Sequence, residues 1–306
     1  MAHPSSHTSA GKTPVGPGAE PLIEQFRRFA RENPCDSMET LFDRFALFGG
    51  SGLRIDMTLN EHDAIRRYIL DDYAVRVRSV HALTGGDADA HALLSGVALG
   101  DRRTHSAFKR ARLSDEAGAA ALDTLREAGV LRREKARPNR FSWIESDTIS
   151  DRLHIATPFL RFWFAFVSPI YRGIKAGEYG EFETRYANHA AGFSDTVFEA
   201  LGMELIKEEF EGEDPVTEIG GYWDQKVTID VIAKTASGKT VAASCRNVGS
   251  KLKKSELARL KAACESAGFA PDVYVLVARS GFSNEMRALK GDALRLLSLR
   301  HFKKLL

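Results

Sequence analysis

Cysteine is scarce: Cys35, Cys245 and Cys264 are the three in 306 residues. Three scattered thiols exclude a disulfide framework and a cysteine-built zinc site, and such usage points to a reducing cytoplasm. Long apolar runs are missing too. A membrane helix needs about 20 uninterrupted apolar residues. The greasiest stretch, Phe159–Val167, is far shorter and carries Arg161 near its start. Met1–Glu20 is rich in Ser, His, Gly, Pro and Ala, without the charged start and apolar centre of a signal peptide; residues 1–20 read as a disordered tail. Nor does one sign of charge prevail, since 43 basic and 41 acidic side chains give a net +2. Any nucleic-acid surface must therefore come from local clustering. At 43% apolar and 27% charged, the composition excludes collagen-like, low-complexity and generally disordered classes. The length suits about two domains with connecting structure.

Phosphate-binding loops are absent as well. Gly11-Lys12-Thr13 and Gly238-Lys239-Thr240 look like P-loop ends, but the curl around the phosphates needs an earlier glycine where Ser6 and Ala233 stand. No histidine pair has zinc-protease spacing, and no Gly-x-Ser-x-Gly elbow occurs. No cofactor is expected on these grounds.

What is present is periodic. Over residues 21–86, Leu22, Ile23, Phe26 and Phe29 form one helical stripe, and Met38, Leu41, Phe42 and Phe45 form a second that stops at Gly49-Gly50-Ser51-Gly52. A third run holds Ile65, Ile69, Leu70 and Tyr73. Residues 87–145 predict three short helices (88–99, 104–111 and 114–128). Two strand candidates follow, 130–134 and Arg140–Ile144, in the order of a winged helix-turn-helix. Residues 146–193 read as an aromatic helical connector. Phe159, Phe162, Trp163 and Phe166 line one side of it, either as core or as a face for a second copy or a separate ATPase. Residues 194–306 predict the order α-β-β-β-α-β-α-β, with Asp272–Ala278 apolar enough for a strand buried on both faces. The fold class is mixed α+β: a helical start, a winged helix and a C-terminal α/β domain with a mixed sheet.

Alternation places Thr228, Asp230 and Ile232 on one strand face, and Ala242, Ser244 and Arg246 on one face of the next. Glu199 on a preceding helix and Glu218 on a preceding strand are further acids. This arrangement resembles the restriction-endonuclease-like, PD-(D/E)XK, core. The resemblance implies that Asp230 and a third-strand Glu-x-Lys would hold Mg²⁺ or Mn²⁺ and orient a hydroxide. Here that tripeptide is Ser244-Cys245-Arg246. A neutral hydroxyl replaces a carboxylate, and an arginine that keeps its proton replaces the lysine.

Further pieces extend the likeness: Pro158–Phe164, Glu218–Asp224, Ile229-Asp230-Val231 and Ser280-Gly281-Phe282. Together they resemble the carboxy-terminal region of archaeal and bacterial AAA-type ATPases, whose tail is a domain of unknown function. That resemblance covers residues 88–306 and implies a winged helix joined to an endonuclease-like domain. It carries over no ATP hydrolysis, because no ATPase segment lies within these residues.

Residues 100–140 hold eleven basic against six acidic side chains, and residues 279–304 hold seven against two. The third short helix carries Asp115, Glu116, Asp123 and Glu127 against Arg126, which is wrong for reading base edges. Arg102, Arg103, Lys109, Arg110, Arg132, Arg133 and Arg137 are the expected phosphate contacts. The leading expectation is therefore non-catalytic, non-sequence-specific binding of DNA or another nucleic acid. One alternative is a metal-dependent nuclease using Asp230 with Glu218 or Glu199; the other is a protein-interaction module. No membrane partner is expected.

Overall fold

The computed structural model describes residues 20–136 and 149–306. The expected strand at Arg140–Ile144, the expected contact Arg137 and the Gly11-Lys12-Thr13 tripeptide lie outside the described residues. Within them, helices and a mixed sheet bear out the α+β class, and no helix is long and apolar enough to cross a membrane.

Helices α1 (Leu22–Glu32) and α2 (Met38–Phe48) bury the predicted stripes, including Phe26, Phe29, Phe42 and Phe45. Ser37 caps α2 by accepting the Thr40 N–H at 3.2 Å. Helix α3 (Glu61–Ile65) runs into a wide π-turn at Arg66–Leu70, and α4 (Tyr73–Thr84) stops at Gly85, whose φ of +70° suits glycine.

Three short helices follow as expected: α5 (Ala88–Ala98), α6 (Thr104–Ala111) and α7 (Asp115–Glu127). Asp87 and Ser114 cap α5 and α7. Gly96 lets α5 and α6 approach closely, because a Cβ there would sit 2.6 Å from the Ala107 carbonyl oxygen. Strand β1 (Leu131–Glu134) then pairs antiparallel with β2 (Arg152–Ile155). The periodicity predicts a helical connector over residues 146–193. Residues 152–155 are instead an extended strand, with Leu153 buried in the core opposite Arg133.

Thr157 caps α8 (Pro158–Phe162), which continues through a π-turn (Trp163–Val167) and a 3₁₀ turn (Ser168–Ile170) into α9 (Tyr171–Ala176). Helix α10 (Gly180–His189) packs alongside. Phe159, Phe162, Trp163 and Phe166 are at most 5% exposed. Trp163 stacks on Tyr73 at 5.6 Å, and Phe166 meets Tyr186 and Phe193 at 5.0 Å each. Of the two readings of this stripe, the burial supports core, since the chain's own side chains pack around the four rings.

Helix α11 (Asp195–Phe210) precedes a five-stranded sheet whose order is sequential: β3 (Val216–Trp223), β4 (Thr228–Thr235), β5 (Thr240–Arg246), β6 (Val273–Ala278) and β7 (Leu294–Ser298). The first three strands are antiparallel, and β5, β6 and β7 are parallel. Gly238-Lys239-Thr240 makes the β4–β5 turn, with φ of +88° at Gly238. Helix α12 (Lys254–Ser266) is the crossover between β5 and β6, and short α13 (Asn284–Arg287) lies between β6 and β7.

One apolar core runs from Phe26 to Leu305 and includes the α11 face of the sheet; a second lies under α12, around Ala242, Leu260 and Leu276. Strand β6 serves both, with Val275 in the first and Leu276 in the second, as its continuous apolar run implied. The terminal 3₁₀ helix (Leu299–Leu305), not anticipated from the sequence, sends Phe302 against Phe42 at 6.1 Å and Phe198 at 5.3 Å.

Replacing a buried tryptophan with alanine removes contacts that nothing else can fill. Trp163→Ala should lower the unfolding free energy by about 3–5 kcal/mol. Chemical denaturation measures that loss, and the sedimentation mass of the folded fraction should match the parent's.

Candidate functional site

Strand alternation brings Asp230, Ser244 and Arg246 together, as the sequence predicts. Asp230 Oδ2 accepts the Cys245 N–H and an Arg246 Nη1–H at 2.8 Å each, and the Ser244 hydroxyl at 3.3 Å. A second carboxylate joins them. Glu256, in the first turn of α12, accepts from Ser244 Oγ at 2.8 Å and from Arg246 Nε at 2.7 Å. Its other oxygen accepts from Arg259 Nη1 at 2.7 Å. Glu256 is 6% exposed, and burying such a charge is costly unless it is paired and hydrogen-bonded.

The sequence reading nominated Glu218 or Glu199 as the second acid, and the structure corrects both. Glu218 pairs in register with Lys234, four residues along β4 from Asp230 and so roughly 13 Å away. Glu199 belongs to α11, on the opposite face of the sheet from Ser244 and Arg246. On that face Gly202 lies so close that a Cβ would come 2.8 Å from Cys245 Sγ. Glu256 had one signal in the sequence. A parallel β-α-β crossover puts the first helical turn beside the end of the strand before it, and Glu256 is the acid in that turn.

Arg246 holds both carboxylates with one guanidinium. Burial alone would lower its pKa, yet Asp230 and Glu256 outweigh burial and raise it, so the group stays charged. The buried thiol of Cys245 is pushed well up and stays protonated. Magnesium or manganese wants several carboxylate oxygens and waters. Here two carboxylates already carry a fixed internal cation, and among the described residues no three acidic, imidazole or thiol groups converge. The residues present do not fit a dication.

On the other face of the sheet, a polar cluster joins the α5–α7 helices to α11. Arg102, at a left-handed φ of +60°, turns inward, 3.6 Å from Glu199 and 3.3 Å from His154 Nδ1. Arginine can only donate, so Nδ1 is the bare nitrogen, and the Nε2–H donates to Glu134 at 2.8 Å. His154 is thus neutral, consistent with burial lowering its pKa. Arg152 lies 4.2 Å over the Trp223 ring. Burial pushes the Glu199 carboxyl up to about 7, opposed by Arg102 and assisted by Asp230.

The expected phosphate contacts are placed very differently from one another. Arg110 pairs with Asp101 at 3.2 Å, Arg133 pairs with Asp151 at 2.5 Å, and Arg103 donates to the Asp224 carbonyl at 3.2 Å. Lys109 and Arg132 are exposed with no acidic partner among the described residues, as is Arg112.

Two outcomes follow. Arg246→Ala leaves Asp230 and Glu256 facing each other. The loss should be about 2–3 kcal/mol, less than the 3–5 of a fully buried pair because Arg246 is one-third exposed. Millimolar Mg²⁺ or Mn²⁺ should raise the melting temperature of that variant and not of the parent. For Glu199, the folded pKa near 7 lies above the ordinary 4.5, so the folded state binds the extra proton. Its contribution is complete below about pH 4.5 and is lost as pH rises through 7. Glu199→Gln should flatten that slope and stabilise the protein at pH 8 by roughly 1–3 kcal/mol, as urea denaturation across the pH range would show.

Comparison with known proteins adds one match. Residues 163–257, a little under a third of the chain, match the DUF234 family of archaeal and bacterial proteins of unknown function, and the matched stretch contains Asp230, Ser244, Arg246 and Glu256. No curated protein and no solved structure matches the chain. By sequence, this part of the molecule is therefore similar to a family whose activity is unassigned.

Proposed function

We propose that the chain is a non-catalytic nucleic-acid-binding protein that grips the phosphate backbone without reading base sequence. In this reading α5–α7 with β1 and β2 form a winged helix, joined to a degenerate endonuclease-like sheet. The observation that carries the reading is a contrast between two sets of cations. Arg246 closes the centre where such a sheet would hold its metal. Lys109, Arg112 and Arg132 instead stand exposed, with no acidic partner among the described residues. An arginine held by two carboxylates is structural. Exposed, unpaired cations are what phosphate neutralisation uses.

Helix α7 supports the non-specific character. Its exposed side carries Asp115, Glu116, Asp123 and Glu127, which would repel a phosphate backbone rather than admit the helix to a groove. The ion pairs of Arg110 and Arg133 do not exclude them from binding, since exposed pairs hold by at most about 1 kcal/mol and can exchange for phosphate.

Fluorescence anisotropy on duplex and single-stranded DNA tests the reading. Affinity should fall by roughly 0.9 log units per log unit of salt for each phosphate neutralised. Lys109→Glu with Arg112→Glu should weaken binding at least about tenfold, equally for unrelated sequences. An unchanged affinity in that variant would overturn the proposed surface. Neither DNA form should be cut in Mg²⁺ or Mn²⁺; chelator-sensitive cleavage that disappears in Asp230→Ala would establish a nuclease instead.

A further inference from the structure

Between β2, the start of α8 and α11 lies a pocket of about 50 Å³, room for three or four waters or one compact oxyanion. Its floor is apolar, including Leu153, Val197 and Ala200. Its polar lining is Arg102, Arg132, His154, Thr157, Arg161 and Thr196, with three arginines and no acid. Elsewhere Arg246 meets Asp230 and Glu256, and Arg279 meets Asp43.

Arg161 has no such partner. Its Nε donates to the Ala98 carbonyl at 3.1 Å. Nη1 donates to the Phe193 carbonyl at 2.5 Å and to Thr196 Oγ1 at 2.6 Å. The guanidinium lies 4.1 Å over the Phe193 ring, a weaker answer to its charge than an ion pair, and Asp195 acts on it only from beyond contact distance. Nη2 makes no hydrogen bond to the described residues. Burial, with Arg102 adding repulsion, lowers its pKa to about 9, so it remains charged at neutral pH. Arg102 has a hydrogen bond to His154 and one loose 3.6 Å carboxylate contact, with Glu199, and Arg132 has no acidic partner among the described residues.

The two threonines complete the donor set. Thr196 Oγ1 accepts from Arg161, and Thr157 Oγ1 accepts the Leu160 N–H at 3.2 Å. Each hydroxyl keeps its own proton to donate. His154, whose Nδ1 accepts from Arg102 and whose Nε2–H goes to Glu134, adds no competing negative charge.

We propose that this pocket binds a phosphate group, seated between Arg102 and Arg161 with Arg132 at its mouth and the hydroxyls of Thr157 and Thr196 as further donors. Guanidinium groups match phosphate oxygens with parallel N–H donors, and a compact anion between two cations removes their mutual repulsion. The phosphate comes either from solution as inorganic phosphate or from the 5′ end of a nucleic-acid strand. The second source rests on the function proposed above; the first does not.

Calorimetric titration of the whole chain with inorganic phosphate, at constant ionic strength, tests the site. Binding should saturate with one phosphate per chain, and the melting temperature should rise in phosphate and not in chloride. Arg132→Gln removes an exposed cation, and Ala200→Leu fills the pocket without touching any charge. Each should weaken phosphate at least about tenfold, with circular dichroism unchanged. Saturable binding that survives both variants, or no binding at all, overturns the proposal. A 5′-phosphorylated strand binding more tightly than its 5′-hydroxyl twin, with the difference abolished by Ala200→Leu, would assign the phosphate to a strand end. Equal binding of the two strands, with inorganic phosphate still bound, assigns it to free phosphate. Inorganic phosphate bound while neither strand binds upholds the pocket and sinks the nucleic-acid reading.

Discussion

Two carboxylates on one face of a sheet repel each other unless something positive lies between them, and here that positive group is covalently part of the chain. Arg246 joins Asp230 on β4 to Glu256 on α12, so the guanidinium ties a strand to the crossover helix as well as balancing charge. The hydroxyl of Ser244 touches both acids and completes the ring of contacts. A side-chain cation cannot leave or lower the pKa of a coordinated water as a metal ion does, and an arginine cannot act as a proton acceptor at any ordinary pH. The same residues that make the face self-sufficient also deprive it of the chemistry a hard metal would bring.

The balance of charge elsewhere follows the same constraint. Arg102 could have been a surface cation, but its left-handed backbone and inward side chain place it over Glu199 and His154, at the seam between the short helices and α11. Arg279 similarly crosses to Asp43 of α2 with 2.7 and 2.8 Å contacts. Much of what a residue count registers as a basic surplus is therefore internal mortar between parts of the chain. The cations with no acidic partner among the described residues are fewer, and they divide between an open surface and a small pocket.

Period-two alternation was enough to put Asp230, Ser244 and Arg246 on one face, because successive strand side chains point to opposite faces wherever no bulge reverses them. Capping chemistry likewise located the start of α7 at Ser114, while the Thr104 hydroxyl expected to cap α6 bonds instead to the Asp151 carbonyl, and a continuous apolar run identified β6 as buried on both sides. Glu256 was hidden for a different reason. The rotation of a helix over a sheet is set by packing against residues distant in sequence, and α12 shows little helical stripe of its own. Partner choice was equally illegible: nothing local distinguishes Arg133, paired with Asp151, from its exposed neighbour Arg132. Strand β2 was too short at four residues to be separated from the aromatic helix behind it. The aromatic stripe had two readings from the sequence, and only the rings around it, Tyr73, Tyr186 and Phe193, settle it as core.

The contact of Phe302 with Phe42 joins residues separated by most of the chain, and Arg27 Nε adds a 2.7 Å bond to the Leu305 carbonyl. Helices α1 and α2 therefore lack part of their apolar cover until residues near 300 have left the ribosome. At a synthesis rate of roughly 5–20 residues per second, the α2 aromatics wait on the order of tens of seconds for their last partner. During that interval Phe42 is a sticky surface, and closing so long a loop makes the final docking slow. The 3₁₀ turn at Leu299–Leu305 thus completes an apolar cover that α2 cannot make from its sequence neighbours.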